Sequence, residues 1–135
     1  MIPQNAAVGA VDLVTPAQQP TWTYHWDIVA DRIRGYTDSQ IAMKQANYKI
    51  LMTERYKYII YGPNYGIELG DLFGQPIPYC VPEIKRRVTE ALLYDDRNLA
   101  IDNFEFDLSI KETVKVKFWA HTIFGDIEMN LEVPI

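Results

Sequence analysis

Cys80 is the strongest candidate nucleophile, because it is the single cysteine of the chain and lies just before a predicted helix. The positive end of a helix dipole lowers the pKa of a thiol and so favours the reactive thiolate. The candidate bases are His25 and His121, but both lie on predicted strands and outside any recognisable nucleophile motif. We therefore predict an inert cysteine that is buried or half-buried, and we assign no catalytic residue.

Carboxylates that could serve acid–base chemistry fall in three groups. They are Glu68 with Asp71, Asp95 with Asp96, and Asp102 with Glu105 and Asp107. A glycosidase needs two carboxyl groups about 5–9.5 Å apart, one of them in an apolar pocket that raises its pKa. Several of these acids lie on predicted hairpin or helix surfaces beside basic residues, as solvated acids do. No pair stands out as catalytic, and hydrolysis stays an alternative.

The basic residues predict no nucleic-acid partner. Lys85, Arg86 and Arg87 are consecutive, and consecutive helical positions point about 100° apart, so they cannot form one patch. The chain has 13 Lys and Arg against 18 Asp and Glu, a net charge of −5, whereas nucleic-acid binders carry a basic face. The sequence also lacks a Gly-rich phosphate loop and metal-ligand spacing. We predict no cofactor and no metal, and no membrane partner because no apolar run approaches the ~18–20 residues of a membrane span.

The composition shifts near residue 20, which divides the 135 residues into an arm and one domain. Residues 1–20 carry one charge, at Asp12, and three prolines, which exclude a continuous helix. They also lack the Gly, Ser or charge of a solvated linker. We predict an extended N-terminal arm over residues 1–20 and a single α+β domain over residues 21–135. The arm has no Lys or Arg, so the charged start of a secretory signal is missing, which favours assembly in the cytoplasm.

The first half of the domain predicts two strands, a helix and a third strand. Alternation of Trp22, Tyr24, Trp26 and Ile28 is typical of a half-buried strand, and residues 32–34 offer a short returning strand. Residues 37–39 can cap a helix that runs to about Thr53. The aromatic and β-branched run Tyr56–Tyr61 predicts a strand.

A helical turn and the main helix follow. Residues 66–74 are predicted to form a short helical turn whose inward residues are Ile67, Leu69, Leu72 and Phe73. Pro82 is predicted at the first position of the main helix. The apolar stripe of that helix, at helical spacing, is Ile84, Val88, Ala91 and Leu92.

The last third predicts a three-stranded meander whose apolar residues share one face. A turn at residues 111–113 would pair Ile110 with Val114, and Asp107 with Lys117 on the other face. A second turn at Gly125-Asp126 would pair Phe118 with Val133 and Trp119 with Glu132. The predicted fold class is α+β, with two main helices packed on antiparallel strands and a C-terminal three-stranded β-meander.

Four segments in order resemble a known family. They are Ile50–Thr53 (Ile-Leu-Met-Thr), Tyr65–Gly74 (Tyr-Gly-Ile-Glu-Leu-Gly-Asp-Leu-Phe-Gly), Glu90–Tyr94 (Glu-Ala-Leu-Leu-Tyr) and Asp95–Arg97 (Asp-Asp-Arg). Together they resemble the baseplate wedge and sheath-initiator family of contractile phage tails, in the branch found in PBSX-like prophages. The resemblance covers about residues 37–110. It implies a non-enzymatic structural protein of a virion or tail-like particle, assembled in the host bacterial cytoplasm.

The resemblance also implies partners and partner-binding residues. The partners would be other wedge proteins, the tail sheath protein and tail tube or hub proteins, with about six copies of this chain around the tail axis. The family's Glu-Pro-Arg motif, which helps to anchor the wedge, appears here as Asp95, Asp96 and Arg97, without the proline that fixes φ at that corner. The alternative is that Arg97 only caps the C-terminal end of the main helix.

The predicted sheet implies a second interface. In the family the sheath is started by strand exchange, which is β-augmentation of an exposed sheet edge. The edges here would be residues 103–110 and 127–133, with the partner-binding residues Phe106, Leu108, Ile127, Met129, Leu131 and Val133. A hairpin that pairs only within its own domain is the alternative. A peptidoglycan hydrolase and a soluble adaptor of the same fold remain alternative functions, since a fold does not fix a function.

Overall fold

The computed structural model describes residues 21–135, so the predicted arm over residues 1–20 lies outside the described part of the chain. The elements are β1 Thr23–Asp27, β2 Arg32–Thr37, α1 Ser39–Leu51, a 3₁₀ turn at Gly70–Leu72, α2 Ile77–Leu93, β3 Asn98–Asp107, β4 Thr113–Thr122 and β5 Gly125–Pro134. β1 and β2 form one antiparallel sheet, and β3, β4 and β5 form a second with β4 at the centre. The predicted α+β class is confirmed.

Both helices begin at residues that suit a helix start. Asp38 precedes α1, and its side chain accepts a hydrogen bond from the Ser39 backbone N–H at 2.7 Å. α2 begins five residues earlier than predicted, so Pro82 lies inside the helix and its predicted first position is wrong. Pro76, with φ −67°, and Pro78 already provide the fixed φ that a first turn favours. The stripe of four apolar residues on α2 is confirmed, because each is at most 1% exposed.

Two local predictions between the helices are wrong. Residues 56–61 form turns and not a strand, because no strand within residues 21–135 pairs with them; the bridge between Glu54 and Ile67 lies outside this segment. Phe73 points outward with 73% exposure, whereas Ile67 and Leu72 are buried and Leu69 is half-buried as expected. Ile67 and Leu72 join the hydrophobic core that also contains Ile84 and Val88 of α2.

The meander keeps the predicted faces but has a different register. Asp107 pairs with Lys115 and not Lys117, a shift of two residues, and Phe118 pairs with Met129 and not Val133, a shift of four. Even shifts return every side chain to the same face, so hydrophobic alternation cannot distinguish these pairings. The second turn is Ile123-Phe124, between the pair Thr122 and Gly125.

The core lies between the three-stranded sheet and the two helices. α2 packs against β3 and α1 packs against β5 on one face of the sheet. The inward residues of β4 at the centre are at most 1% exposed: Val114, Val116, Phe118 and Ala120. The opposite face carries ion pairs between Lys117 and Glu128 at 3.2 Å and between Lys115 and Glu132 at 3.5 Å. One face of the sheet therefore packs on the helices and the other carries charged side chains. The outer strands of the sheet are β3 and β5.

Candidate functional site

Asp95 and Arg97 lie together at the wall of a cavity of about 300 Å³. They follow the end of α2, and the cavity is completed by the start of the described chain at Thr21–Thr23 and by α1 residues Ala42 and Lys49. The side chains of Asp95 and Arg97 are 14% and 15% exposed. The structure thus brings two of the three predicted wedge-anchoring residues into one concave, half-buried site.

The contact between Asp95 and Arg97 is bidentate. Arg97 donates from Nε to Oδ1 at 2.9 Å and from Nη2 to Oδ2 at 2.6 Å, and its backbone N–H reaches Oδ1 at 3.0 Å. Burial by itself raises the pKa of Asp95, but the hydrogen bonds and charge of Arg97 outweigh it and leave that pKa below its ordinary value. The same hydrogen bonds raise the pKa of Arg97. The geometry fixes a planar guanidinium–carboxylate pair at the mouth of the cavity.

Asp96, the third predicted anchor, does not line the cavity. Its side chain is exposed, and its negative charge contributes a small increase to the pKa of Arg97. The last turn of α2 is capped by Asn98, whose Nδ2 donates to the carbonyl of Leu92 at 2.9 Å. Asp95 and Arg97 are therefore the residues of the motif that shape the cavity.

Replacing Arg97 with methionine is expected to lower the free energy of unfolding at pH 7 by roughly 2–4 kcal/mol, because Asp95 loses its bidentate partner in a half-buried position. In the wild type the Asp95 pKa is lowered, so its contribution is present above the unfolded pKa of about 3.9 and is lost as the pH falls through the folded pKa. In the variant burial raises that pKa, so stability increases as the pH falls toward 4. Urea unfolding at both pH values, with exposed Asp96→Asn as control, measures this; equal stability of Arg97→Met and wild type would contradict it.

Five of the six predicted strand-pairing residues lie on β3 and β5, the outer strands of the three-stranded sheet. On β5 the residues Ile127, Met129, Leu131 and Val133 are at most 7% exposed and point into the core of the domain. Phe106 is half-buried on β3. Leu108 lies beyond the end of β3 at Asp107 and is 44% exposed, so the predicted extent of that edge to residue 110 is wrong. The β5 side chains are therefore buried within the domain and are not exposed to a partner.

The two edges differ in regularity. β3 is interrupted by register shifts near residues 98–100 and 102–105, and Asn103 between them has φ +53°. β5 pairs with β4 over ten consecutive residues without a shift. Bulges twist an edge away from further pairing, whereas a regular strand presents an unbroken row of backbone groups. β5 is thus the more regular of the two outer strands.

An apolar cavity of about 310 Å³ lies beside the β5 edge. Met129 and Asn130 of β5 form one wall, Ile41 and Tyr48 of α1 the second, and Ile28 after β1 the third. Ile41 and Ile28 are 61% and 49% exposed, so their side chains remain open to a partner. A strand added along β5 would have room for an apolar side chain at this position.

The residues considered for catalysis are buried or make hydrogen bonds and ion pairs with neighbouring side chains. Cys80 is fully buried, its Sγ contacts the carbonyls of Leu72 and Gln75 at 3.7 and 3.6 Å, and burial raises its pKa, so the predicted buried cysteine is confirmed. Asp71 forms an ion pair with Arg87, and that contact lowers the pKa of Asp71. Asp102 contacts His121 on the outer face of the sheet at 2.7 Å.

Three buried amides of the site region escape the sequence analysis. Gln45 on α1 accepts from the Trp26 N–H and donates to the Tyr24 carbonyl, both at 2.8 Å, and so joins the β1–β2 hairpin to the helix. Asn47 and Asn98 bind each other through both amides at 2.9 and 3.1 Å. For Gln45 and Asn47 the available signal is their position, because polar amides within the apolar pattern of α1 are unusual unless a partner satisfies them.

Two features are absent from the described residues. Within residues 21–135, no helix is both long and apolar enough to cross a membrane. The same residues contain no group of three or more His, Cys, Asp or Glu arranged to hold a metal ion.

The fold and both surfaces can now be compared with known proteins. A sequence profile of the contractile injection system sheath initiators matches residues 22–125, and the chain belongs to that family. Over 124 residues it is 32% identical to the phage-like element PBSX protein XkdS of Bacillus subtilis (strain 168). The matched region covers 89% of this chain and 87% of XkdS. The resemblance to the PBSX-like branch is confirmed. The chain is thus a structural protein of a contractile phage tail.

Proposed function

We propose that this chain joins the wedge proteins of the baseplate at the Asp95–Arg97 cavity and starts the sheath by accepting a strand along β5. The observation that carries the proposal is the regular ten-residue edge of β5 with an apolar cavity beside it. Backbone groups on that edge give affinity, and the cavity selects a side chain of the incoming strand. The role is non-enzymatic, with about six copies around the tail axis.

The outward side chains of β5 limit which strands can add to its edge. The outward side chains of β5 are Glu128, Asn130 and Glu132, and both glutamates are in ion pairs with lysines of β4. Paired charges on an edge discourage indiscriminate strand addition while leaving the backbone accessible. Pro134 at the end of β5 lacks an N–H and limits the length of the added strand. We expect the sheath protein to pair with the part of β5 before Pro134.

The wedge contact has a different chemistry. A half-buried guanidinium–carboxylate pair in a cavity of about 300 Å³ suits a polar segment of a neighbouring wedge protein. Thr21, which lines the same cavity, is the first residue after the predicted arm. Contacts with tube or hub proteins, and assembly in the host cytoplasm as part of a virion or tail-like bacteriocin, complete the proposal.

Ile41→Asp tests the strand-pairing step. Ile41 lies in the first turn of α1, where an added carboxylate is compatible with the helix, so the fold should be retained. In particles assembled with this variant, sheathed tails are expected to fall by at least about tenfold, the effect of losing one interface anchor, while the chain stays in the baseplate. Electron microscopy counts the sheathed tails.

The matched control is Ile33→Asp, which changes an isoleucine of similar exposure on β2 that does not line the cavity beside β5. It should leave sheath assembly at the wild-type level. Normal sheaths with Ile41→Asp, or equal losses with both variants, would contradict the proposal. Clearing of cell walls by the purified chain, abolished by replacing one carboxylate, would favour a hydrolase instead.

A further inference from the structure

The loop between Glu54 and Ile67 presents two aliphatic side chains almost completely to solvent. Ile59 is 103% exposed and Ile60 is 86% exposed. The Tyr61 N–H donates to the Tyr58 carbonyl at 3.3 Å, so these isoleucines lie at the two central positions of a turn. Turn centres usually hold Gly, Asn, Asp, Pro or Ser, because β-branched residues gain nothing there. A local sequence that contradicts its local structure in this way is a sign of function.

The base of this loop is held closed. The Arg55 N–H donates to the Ile67 carbonyl at 3.2 Å, and the Ile67 N–H donates to the Thr53 carbonyl at 3.0 Å. The Arg55 guanidinium also donates from Nε and Nη2 to the Gly66 carbonyl, each at 3.2 Å. Gly66 has φ +95°, and a Cβ there would lie 2.6 Å from the Thr53 carbonyl oxygen. The segment between Glu54 and Ile67 is therefore an Ω-loop whose two ends are joined by hydrogen bonds.

Aromatic rings support the loop up to its tip. Tyr61 stacks on Tyr65 with centroids 4.6 Å apart, and Tyr58 meets Tyr61 edge to face at 6.1 Å. Tyr56 has φ +68°, a left-handed conformation that is strained for a bulky residue. Rings and backbone thus hold Ile59 and Ile60 outward in a fixed position. A pre-ordered apolar tip loses little conformational entropy when it binds.

The charges near the tip indicate the kind of partner. Residues 56–65 contain one cation, Lys57, and no acid, although the whole chain carries a net charge of −5. Within residues 21–135 no carboxylate forms an ion pair with Lys57, which lies 5.6 Å from the centroid of the Tyr58 ring. A single cation on an acidic protein does not suit an anionic membrane. A symmetric contact with a second copy would place one Lys57 near the other.

We propose that Ile59 and Ile60 insert into an apolar cleft of another protein of the tail particle, which places a carboxylate beside Lys57. This contact is separate from the Asp95–Arg97 cavity and from the β5 edge. It rests on membership of the sheath-initiator family and not on the strand-pairing proposal. Hot spots are anchors that become fully desolvated near the centre of an interface, and Ile59 and Ile60 would serve as such anchors once a cleft covers them.

The test compares tail particles assembled with the wild-type chain and with the double variant Ile59→Ser, Ile60→Ser. Both side chains are exposed in the free chain, so its thermal unfolding temperature should not change. The number of copies per particle, measured by quantitative mass spectrometry, is expected to fall at least about tenfold, the loss of one or more hot-spot anchors. Val29→Ser is the matched control, because Val29 is 99% exposed in the turn between β1 and β2; it should incorporate normally.

Lys57 gives a second readout. Lys57→Glu should reduce incorporation, and Lys57→Arg should retain it. Wild-type incorporation of the double variant would overturn the proposal. Two results for the purified chain would also overturn the proposal. One is sedimentation with phosphatidylglycerol vesicles that is lost in the double variant. The other is a concentration-dependent dimer that is lost in the double variant. The Ile41→Asp phenotype is different, since there the chain remains in the particle and the sheath is missing.

Discussion

Phe118→Ala is expected to lower the free energy of unfolding by about 3–5 kcal/mol, the usual cost of truncating a buried aromatic residue. Phe118 is fully buried at the centre of β4, and its ring stacks on Phe104 with centroids 5.3 Å apart. β4 pairs with strands on both sides, so the sheet cannot collapse easily into the space left behind. Chemical denaturation with an unchanged m-value would measure the loss.

Phe73→Ala is the control for this prediction. It makes the same chemical change at a residue that is 73% exposed, and its effect should stay within roughly 0.5 kcal/mol. Similar losses at both positions would mean that Phe118 does not occupy a rigid core. Since the β5 edge depends on β4 for its position, Phe118→Ala should also reduce the incorporation of sheath.

Asn98→Ala is expected to lower the free energy of unfolding by roughly 2–4 kcal/mol, because it leaves two buried polar groups without their partner. Asn98 is 4% exposed and joins three elements: it starts β3, binds the Asn47 amide of α1 and caps the Leu92 carbonyl of α2. Removing its amide leaves the Asn47 amide and the Leu92 carbonyl without a hydrogen-bond partner in the interior. Thermal and urea unfolding of the variant would measure the effect.

A double-mutant cycle separates the amide pair from the helix cap. Asn47→Ala with Asn98→Ala should cost less than the sum of the single variants, with a coupling of about 0.5–3 kcal/mol. Asn64→Ala removes the same group at an exposed loop position and should be nearly neutral. Strict additivity of the two buried variants would show that the hydrogen bonds between Asn47 and Asn98 contribute little.

The sequence predicts the elements of this fold where periodicity is strong. The stripe of four residues on α2 and the alternation along β4 locate the two sides of the core, because each period of repetition belongs to one backbone geometry. The strand predicted over Tyr56–Tyr61 fails for the opposite reason. Its aromatic and β-branched residues have high β-propensity, but propensity reports packing on a sheet, and no strand in the described part of the chain pairs with this segment.

The candidate sites divide in the same way. The Asp95–Asp96–Arg97 motif can be found by its resemblance to the family, yet the sequence cannot tell that Asp95 and Arg97 face a cavity while Asp96 is exposed. The strand-pairing residues on β5 are correctly placed on one face. Their burial depends on how α1 packs against β5.

The sequence by itself determined the α+β class, the faces of the sheet and membership of the sheath-initiator family, because these depend on local periodicity and on residues close in the chain. Tertiary structure alone decided the register of the meander, the start of α2, the pairing of Asn47 with Asn98 and the outward position of Ile59 and Ile60. These depend on distant groups whose alternatives look equal locally. Shifting a strand by two residues preserves every face, and only the packing of the whole domain removes that degeneracy.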